Sequence, residues 1–384
     1  MSLPTGNPQP DTPEARRYNQ IKRWLSLVDL VLGTGFLVVL LVTGWTRTLH
    51  DLSFQAAREH YVLGLFYYIL FLSVISKLLT LGLDIYSFRL EHQFHLSNQK
   101  LRSWVVDTLK GWVIGLVIGT ILAEIVYALI RTSPDHWWIF AWLIFIGLYI
   151  FFAQLAPVVL FPVFYKFIPL QNEELKERLV RLGERAGTRI RGVYEWKLSE
   201  KSKKANAALT GLGNTRRIIL ADTLLENYST DEIEAVLAHE LGHHVHGHIL
   251  KSIFVEAGVT LVGFWAANWV LQYATLTLHM FPSRTYYANM PLLVLVSSVL
   301  SVVLMPALNA YSRFNERQAD LYCWKSVPSV TPFVTAMQKL TTQNLSERNP
   351  SPVVEVLFHS HPSIAKRIAA AEIWAQKNRP SLAT

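Results

Sequence analysis

Residues 230–249 of this 384-residue chain read TDEIEAVLAHELGHHVHGHI. Ser229, just before them, and Glu232 three residues later have the form of a capping box, in which side chain and backbone at a helix start satisfy one another. Ile233, Val236, Leu237 and Leu241 then recur at helical spacing. A helix here puts His239 and His243 one turn apart on one face. Two neutral imidazoles so placed can hold one zinc ion and leave room for a third protein ligand and a water. Glu240, beside the first histidine, can reach that water as general base. The stretch predicts a zinc hydrolase site on a capped helix.

A catalytic zinc of this type needs a third protein ligand. The best source is SRFNERQAD, residues 312–320. If that segment is helical, Glu316 and Asp320 share a face. Glu316 can then bind the metal while Asp320 accepts a hydrogen bond from a ligand histidine, orienting the ring and raising its basicity. His246 is a rival ligand, seven residues past His239, but an i, i+4, i+7 set on one straight helix surrounds an ion poorly. His244 and His248 are expected to point elsewhere, at an interface or behind the ligands. The metzincin extension requires a histidine where Ile249 stands.

The composition places this site in a membrane protein. The chain is 51% hydrophobic and only 17% charged, with 12 Trp, 15 Tyr and 19 Phe to populate interfacial belts. The net charge of +8 is met by basic loops on one side of a multi-pass protein, so no nucleic-acid partner is expected. The single cysteine, Cys323, excludes an intrachain disulfide and a cysteine-rich metal site. Residues 1–24 are polar and proline-containing and read as a flexible cytosolic tail.

Six apolar stretches reach the roughly 20 residues needed to cross a bilayer, near 25–45, 61–83, 105–130, 137–161, 252–272 and 290–311. Asp107 and Lys110, early in the third, mark an interface or face a polar interior. Basic residues concentrate in the tail, after span two, between spans four and five and after span six, which puts both termini and the metal helix in the cytoplasm. The expected fold is thus an all-α multi-pass membrane protein with a small α+β metalloprotease insert. Its parts are a tail (1–24), spans one to four (25–161), the insert (162–250), spans five and six (251–311) and a C-terminal part bearing the third ligand (312–384). Within the insert, residues 172–186 predict a helix and residues 193–198, 205–212 and 217–220 predict strands. A free edge of that small sheet could take up an extended peptide as a further strand.

The pairing of HELGH with SRxxExxAD after a span resembles the type I CAAX prenyl proteases, integral-membrane zinc peptidases of the gluzincin group. The likeness runs from about residue 63 to 375. It includes EHQFHLSNQK (91–100), similar to the family's ExxFGFNxQT loop, the stretch from Ala156-Pro157 to Pro169-Leu170, Ala205-Asn206-Ala207, and His361-Pro362-Ser363 with Arg367. The resemblance implies a ring of membrane helices around a chamber with one zinc at its cytoplasmic end. It also implies that His239, His243 and Glu316 bind the zinc, that Glu240 activates water and that Asp320 supports a ligand. Asn206 and Ala207 would hold the substrate backbone, His361 would stabilise the oxyanion, and Arg367 would pair with substrate backbone or fix that arrangement. The implied substrate is a protein ending in a prenylated Cys-a-a-X motif. Two departures stand out: eukaryotic members have seven spans, and His95, Leu96, Ser97 and Lys100 replace Gly, Phe, Asn and Thr of the loop. Both point to a bacterial or distant member, in a plasma or inner membrane if bacterial and in the endoplasmic reticulum if eukaryotic.

Two other readings compete. A quality-control protease of this group would cut unprenylated, partly unfolded membrane proteins. A non-hydrolytic membrane protein with a structural zinc would lack a general base, whereas Glu240 is present. An intramembrane site-2-type protease is disfavoured by Asp231, Glu232 and Glu234 ahead of the histidines.

Overall fold

Thr12 caps the first helix through its side chain, which accepts a hydrogen bond from the Ala15 N–H (3.1 Å). Pro13 occupies the first turn, where its missing N–H costs nothing. The result is α1 (Pro13–Thr43), in a computed structural model that describes residues 11–211 and 216–378. Residues 13–24 are therefore not the flexible tail expected from composition. Tyr18 is buried against Leu90 and Phe94, and its hydroxyl donates to Glu91 (2.6 Å). Tertiary contacts outweigh the polar composition there, and residues 1–10 lie outside the described residues.

After α1 come α2 (Trp45–Ala56), α3 (Tyr61–Gln93), α4 (Leu101–Thr132) and α5 (Trp137–Leu155). A π turn and the short α6 (Phe161–Phe164) lead into the insert: β1 (Phe167–Pro169), α7 (Glu173–Arg185), β2 (Gly192–Trp196), β3 (Ala207–Thr210), β4 (Arg217–Ala221), α8 (Asp222–Asn227) and α9 (Thr230–Val245). The chain ends with α10 (His248–Gln272), α11 (Met290–Ser326), α12 (Thr331–Gln343), α13 (Pro352–Phe358) and α14 (Ile364–Asn378). Strand β1 was not anticipated, because three residues carry no periodicity. Strand β3 is shorter than the expected 205–212, of which Leu212 lies outside the described residues.

Among the described residues, six helices are long and apolar enough to cross a membrane. They close a ring in the order α1, α3, α4, α5, α10, α11 and back to α1. A packed bundle buries the inward stripe of every helix. Here only between 0% and 17% of each apolar window is buried, so the ring encloses open space. Burial returns at one end, where Tyr68, Tyr127, Trp137 and Tyr287 form a core. Their polar tips are satisfied: Tyr127 donates to Asn289 (2.5 Å) and Trp137 to Asn268 (2.7 Å). That plug closes the end of the ring remote from the insert.

The insert closes the other end. Its sheet runs β1-β2-β4-β3, with β2 parallel to β4 and the outer pairs antiparallel. Helix α7 buries Leu175, Leu179 and Leu182, and α9 buries Ile233, Leu237 and Leu241, in one core shared with α11, α12 and α14. Asp107 accepts from Gln99 (2.7 Å) and Lys201 (2.6 Å), so the charge early in the third span meets the insert.

The capping box of α9 is formed as expected: Ser229 Oγ accepts from Glu232 N (3.3 Å) and Glu232 Oε2 from Ser229 N (2.7 Å). Burial raises the Glu232 carboxyl, but the Lys339 ammonium (2.7 Å) and the Ser229 N–H more than offset this and hold it below the usual carboxylate range. The cap therefore stabilises fully above the unfolded value near 4.5 and fades as pH falls through the lower folded value. Glu232→Gln is expected to cost about 1–3 kcal/mol at neutral pH. The gap between the two melting curves should begin to close below about pH 4.5 and close fully only below the lower folded value; a gap that stays constant as pH falls from 7 through that value would contradict the assignment.

Candidate metal centre

Helix α9 presents His239 and His243 toward α11, and the two Nε2 atoms are 3.3 Å apart. Glu316 of α11 completes a triangle: its Oε2 is 3.3 Å from His239 Nε2 and its Oε1 is 3.3 Å from His243 Nε2. These three are the described residues whose ligand atoms converge on one point. A tetrahedral zinc with ligands at about 2.0–2.1 Å has ligand–ligand edges of about 3.3–3.4 Å, so the donor types and spacing suit such an ion. Glu316 Oε2 is buried and has no hydrogen-bond donor, as expected of an atom reserved for a metal.

The close approach of α9 and α11 has a visible cause. A Cβ on Gly242 would lie 2.7 Å from Ala319 Cα, so only glycine lets the two backbones meet. Helix α11 carries an apolar span and then, without interruption, Glu316 and Asp320, and these two do share a face.

Behind the triangle, Asp320 Oδ1 lies 2.9 Å from His239 Nδ1. Arg367 forks onto both oxygens of Asp320 (2.6 and 2.9 Å), and both groups are buried. Arg367 thus meets Asp320 here, behind His239. Burial alone lowers the His239 imidazole, but the Asp320 and Glu316 carboxylates beside it override this and raise the ring to about 9 without metal.

His361 reaches the triangle from the loop after α13, with Nδ1 3.0 Å from Glu316 Oε1 and 61% of its side chain exposed. The loop is held by Arg313, whose guanidinium donates to the Glu355 and His359 carbonyls (2.9 and 2.7 Å). Ala207 opens β3, one of the two edge strands of the sheet, and Asn206 immediately precedes it. The Asn206 carbonyl accepts from Ala221 N (3.0 Å) and Ala207 pairs with Leu220. Glu240 is half-buried, enters no ion pair among the described residues, and shares a cavity of about 380 Å³ with His243 and with Leu209 of β3. The edge strand and Glu240 thus open on the same space.

His246 is not in the triangle. Helix α9 ends at Val245, so position 246 leaves the helical face and its ring stacks on His248 instead (5.5 Å). Two features escaped the sequence reading. Arg313 holds the His361 loop from a distant helix, and Arg216 contacts His244 (3.1 Å) through a strand pairing that no local pattern announces.

The altered 91–100 loop packs on the turn that leads into β3, with Asn98 N donating to Lys201 O and Lys203 N to Leu96 O. His95 stands at φ +55°, a left-handed conformation that favours glycine. The substitutions therefore fall in a buttress of the edge strand and leave the metal donors untouched.

The sequence of residues 169–375 matches peptidase family M48. This chain belongs to that family. Residues 8–166 match the CAAX prenyl protease N-terminal region of five membrane helices, which covers α1 to α5. The M48 peptidase is 32% identical to the uncharacterized metalloprotease YhfN of Bacillus subtilis over 369 residues, 95% of this chain and 86% of that one. It is 30% identical to CAAX prenyl protease 1 of Saccharomyces cerevisiae over 329 residues, 80% of this chain and 72% of that one. The crystal structure of S. mikatae Ste24p has the same fold, with a TM-score of 0.84, 24% identity and coverage of 96% and 92%. The M48 peptidase is thus a multi-pass membrane metalloprotease acting on a peptide or protein.

Proposed function

We propose that this peptidase is a one-zinc endopeptidase that trims the C-terminal region of membrane-associated proteins in the manner of CAAX processing. The observation that carries the reading is the triangle of His239, His243 and Glu316, of which His243 lines one cavity together with Glu240 and Leu209 of the edge strand β3. Zinc, when bound, would polarise the scissile carbonyl and acidify a water.

The chain's own residues supply the rest. An extended substrate adds main chain to main chain along β3, with Asn206 and Ala207 gripping its backbone. Glu240 takes the proton of the attacking water and returns it to the leaving amine. His361, anchored through Nδ1, keeps its other nitrogen for the developing oxyanion. Asp320, clamped by Arg367, holds His239 with Nε2 free for the metal. The basic residues near the start of α1, in the insert and in the C-terminal part support a cytoplasmic position for this machinery and both termini.

The second reading, quality control of unprenylated membrane proteins, is favoured by the altered residues of the 91–100 loop, which bear on the strand edge and not on the metal. Mass spectrometry of a farnesylated Cys-a-a-X peptide and its unprenylated twin, each with wild type and Glu240→Ala, separates the two. We expect cleavage after the cysteine of the farnesylated peptide, at least about tenfold faster than its twin, corresponding to about 1.4 kcal/mol of discrimination. Equal cutting of both would transfer the assignment to quality control. Cutting of neither, with zinc bound, would remove the CAAX-type reading.

A further inference from the structure

The turn between α9 and α10 folds His248 back onto the metal centre. Gly247 makes this possible at φ +65°, a conformation that side-chain-bearing residues adopt only with strain. His248 is 3% exposed. Its Nδ1 lies 3.0 Å from His243 Nδ1 and its Nε2 lies 2.9 Å from Gln318 Oε1. Gln318 is on α11, two residues after the ligand Glu316.

We infer that Gln318 and His248 form a neutral relay that fixes the tautomer of His243 and so presents its Nε2 lone pair to the metal. With Gln318 Oε1 facing His248, the hydrogen-bonding inventory sets the direction. An amide oxygen only accepts, so His248 Nε2 carries the proton and His248 Nδ1 carries a lone pair. Two imidazole nitrogens at 3.0 Å need one proton between them, so His243 Nδ1–H donates to His248. The proton of His243 is thereby placed on the nitrogen remote from the pocket.

The two ligand histidines are consequently backed in different ways. His239 leans on an anion, Asp320, which Arg367 partly neutralises. His243 leans on an uncharged imidazole. The ligand set can then hold a dication without a second buried carboxylate behind it, whose desolvation would be costly. His248 and Gln318 are positioning residues, since neither donates an atom to the triangle.

This inference rests on the zinc reading above, and the test keeps the two apart. Zinc affinity is measured by chelator competition on the full-length protein in detergent, with melting of the metal-free form alongside. Wild type binding one zinc and His239→Ala binding none establish the site; failure there removes the zinc reading itself. Given the site, His248→Leu is expected to lower affinity about 10- to 100-fold. His248→Asn, whose amide oxygen occupies the place of Nδ1, should restore it to within about threefold of wild type. Gln318→Leu should fall between these, with metal-free melting close to wild type. Rescue by Asn is the outcome a purely packing role would not produce. Should His248→Leu fail to fold, Gln318→Leu and His248→Asn decide between them. The relay is overturned if His248→Asn binds zinc as weakly as His248→Leu, or if Gln318→Leu binds as tightly as wild type.

Discussion

Glu240→Gln is expected to lower kcat for peptide hydrolysis by about 100- to 10,000-fold, the range a general base contributes, while one zinc remains bound. The geometry separates the two readouts. Glu240 contributes no atom to the triangle of His239, His243 and Glu316, and its carboxylate holds no ion pair that the amide would break among the described residues. The isosteric amide cannot accept the proton of an attacking water. Because the interaction is made in the transition state, kcat and kcat/KM should fall together with KM little changed. Kinetics on one peptide, with metal content measured on the same preparations, checks this. Activity above about a tenth of wild type, with zinc bound, would mean that another group serves as base.

The second large effect is expected from a single methyl group. Gly242→Ala places a Cβ 2.7 Å from Ala319 Cα and 2.9 Å from Ala319 O. Both are backbone atoms and cannot rotate away. Helix α9 must then move off α11 by a good fraction of an ångström. Gly242 lies immediately before His243, and Ala319 lies between Glu316 and Asp320, so the movement opens the donor triangle itself. Overpacking of this kind costs about 1–3 kcal/mol of stability. The accompanying loss of zinc affinity should reach about 100-fold, at or above the upper end for disturbed supporting contacts. Gly258→Ala on α10 is the matched control, because a Cβ there meets nothing within 4 Å and alanine favours helix over glycine. Equal zinc affinity in Gly242→Ala and wild type would show that the helix contact does not set the metal geometry.

Much of the site was legible because its signals are local. The cap at Ser229 and Glu232, the one-turn spacing of His239 and His243, and the shared face of Glu316 and Asp320 each depend on residues within two turns of helix. The apolar spans were legible for a similar reason, since crossing a bilayer is a demand on the length and composition of one segment. Where composition was allowed to stand for structure it misled. Residues 13–24 are polar, yet they form the first turns of α1 because Thr12 caps them and Tyr18 finds a buried place beside Glu91.

By itself, then, the sequence determined a membrane metalloprotease and singled out the residues proposed here as its base and metal donors, through patterns that elementary helix geometry converts directly into chemistry. Only the tertiary structure decided that Arg367 clamps Asp320 across 47 residues, that His248 is paired with Gln318 across 70, and that the six apolar helices close a hollow ring plugged at one end. Those relations join segments far apart in the chain, and their partners are chosen by how helices pack, by a glycine that admits close approach and by one that turns the backbone. Periodicity within a segment carries no information about which distant segment it will meet.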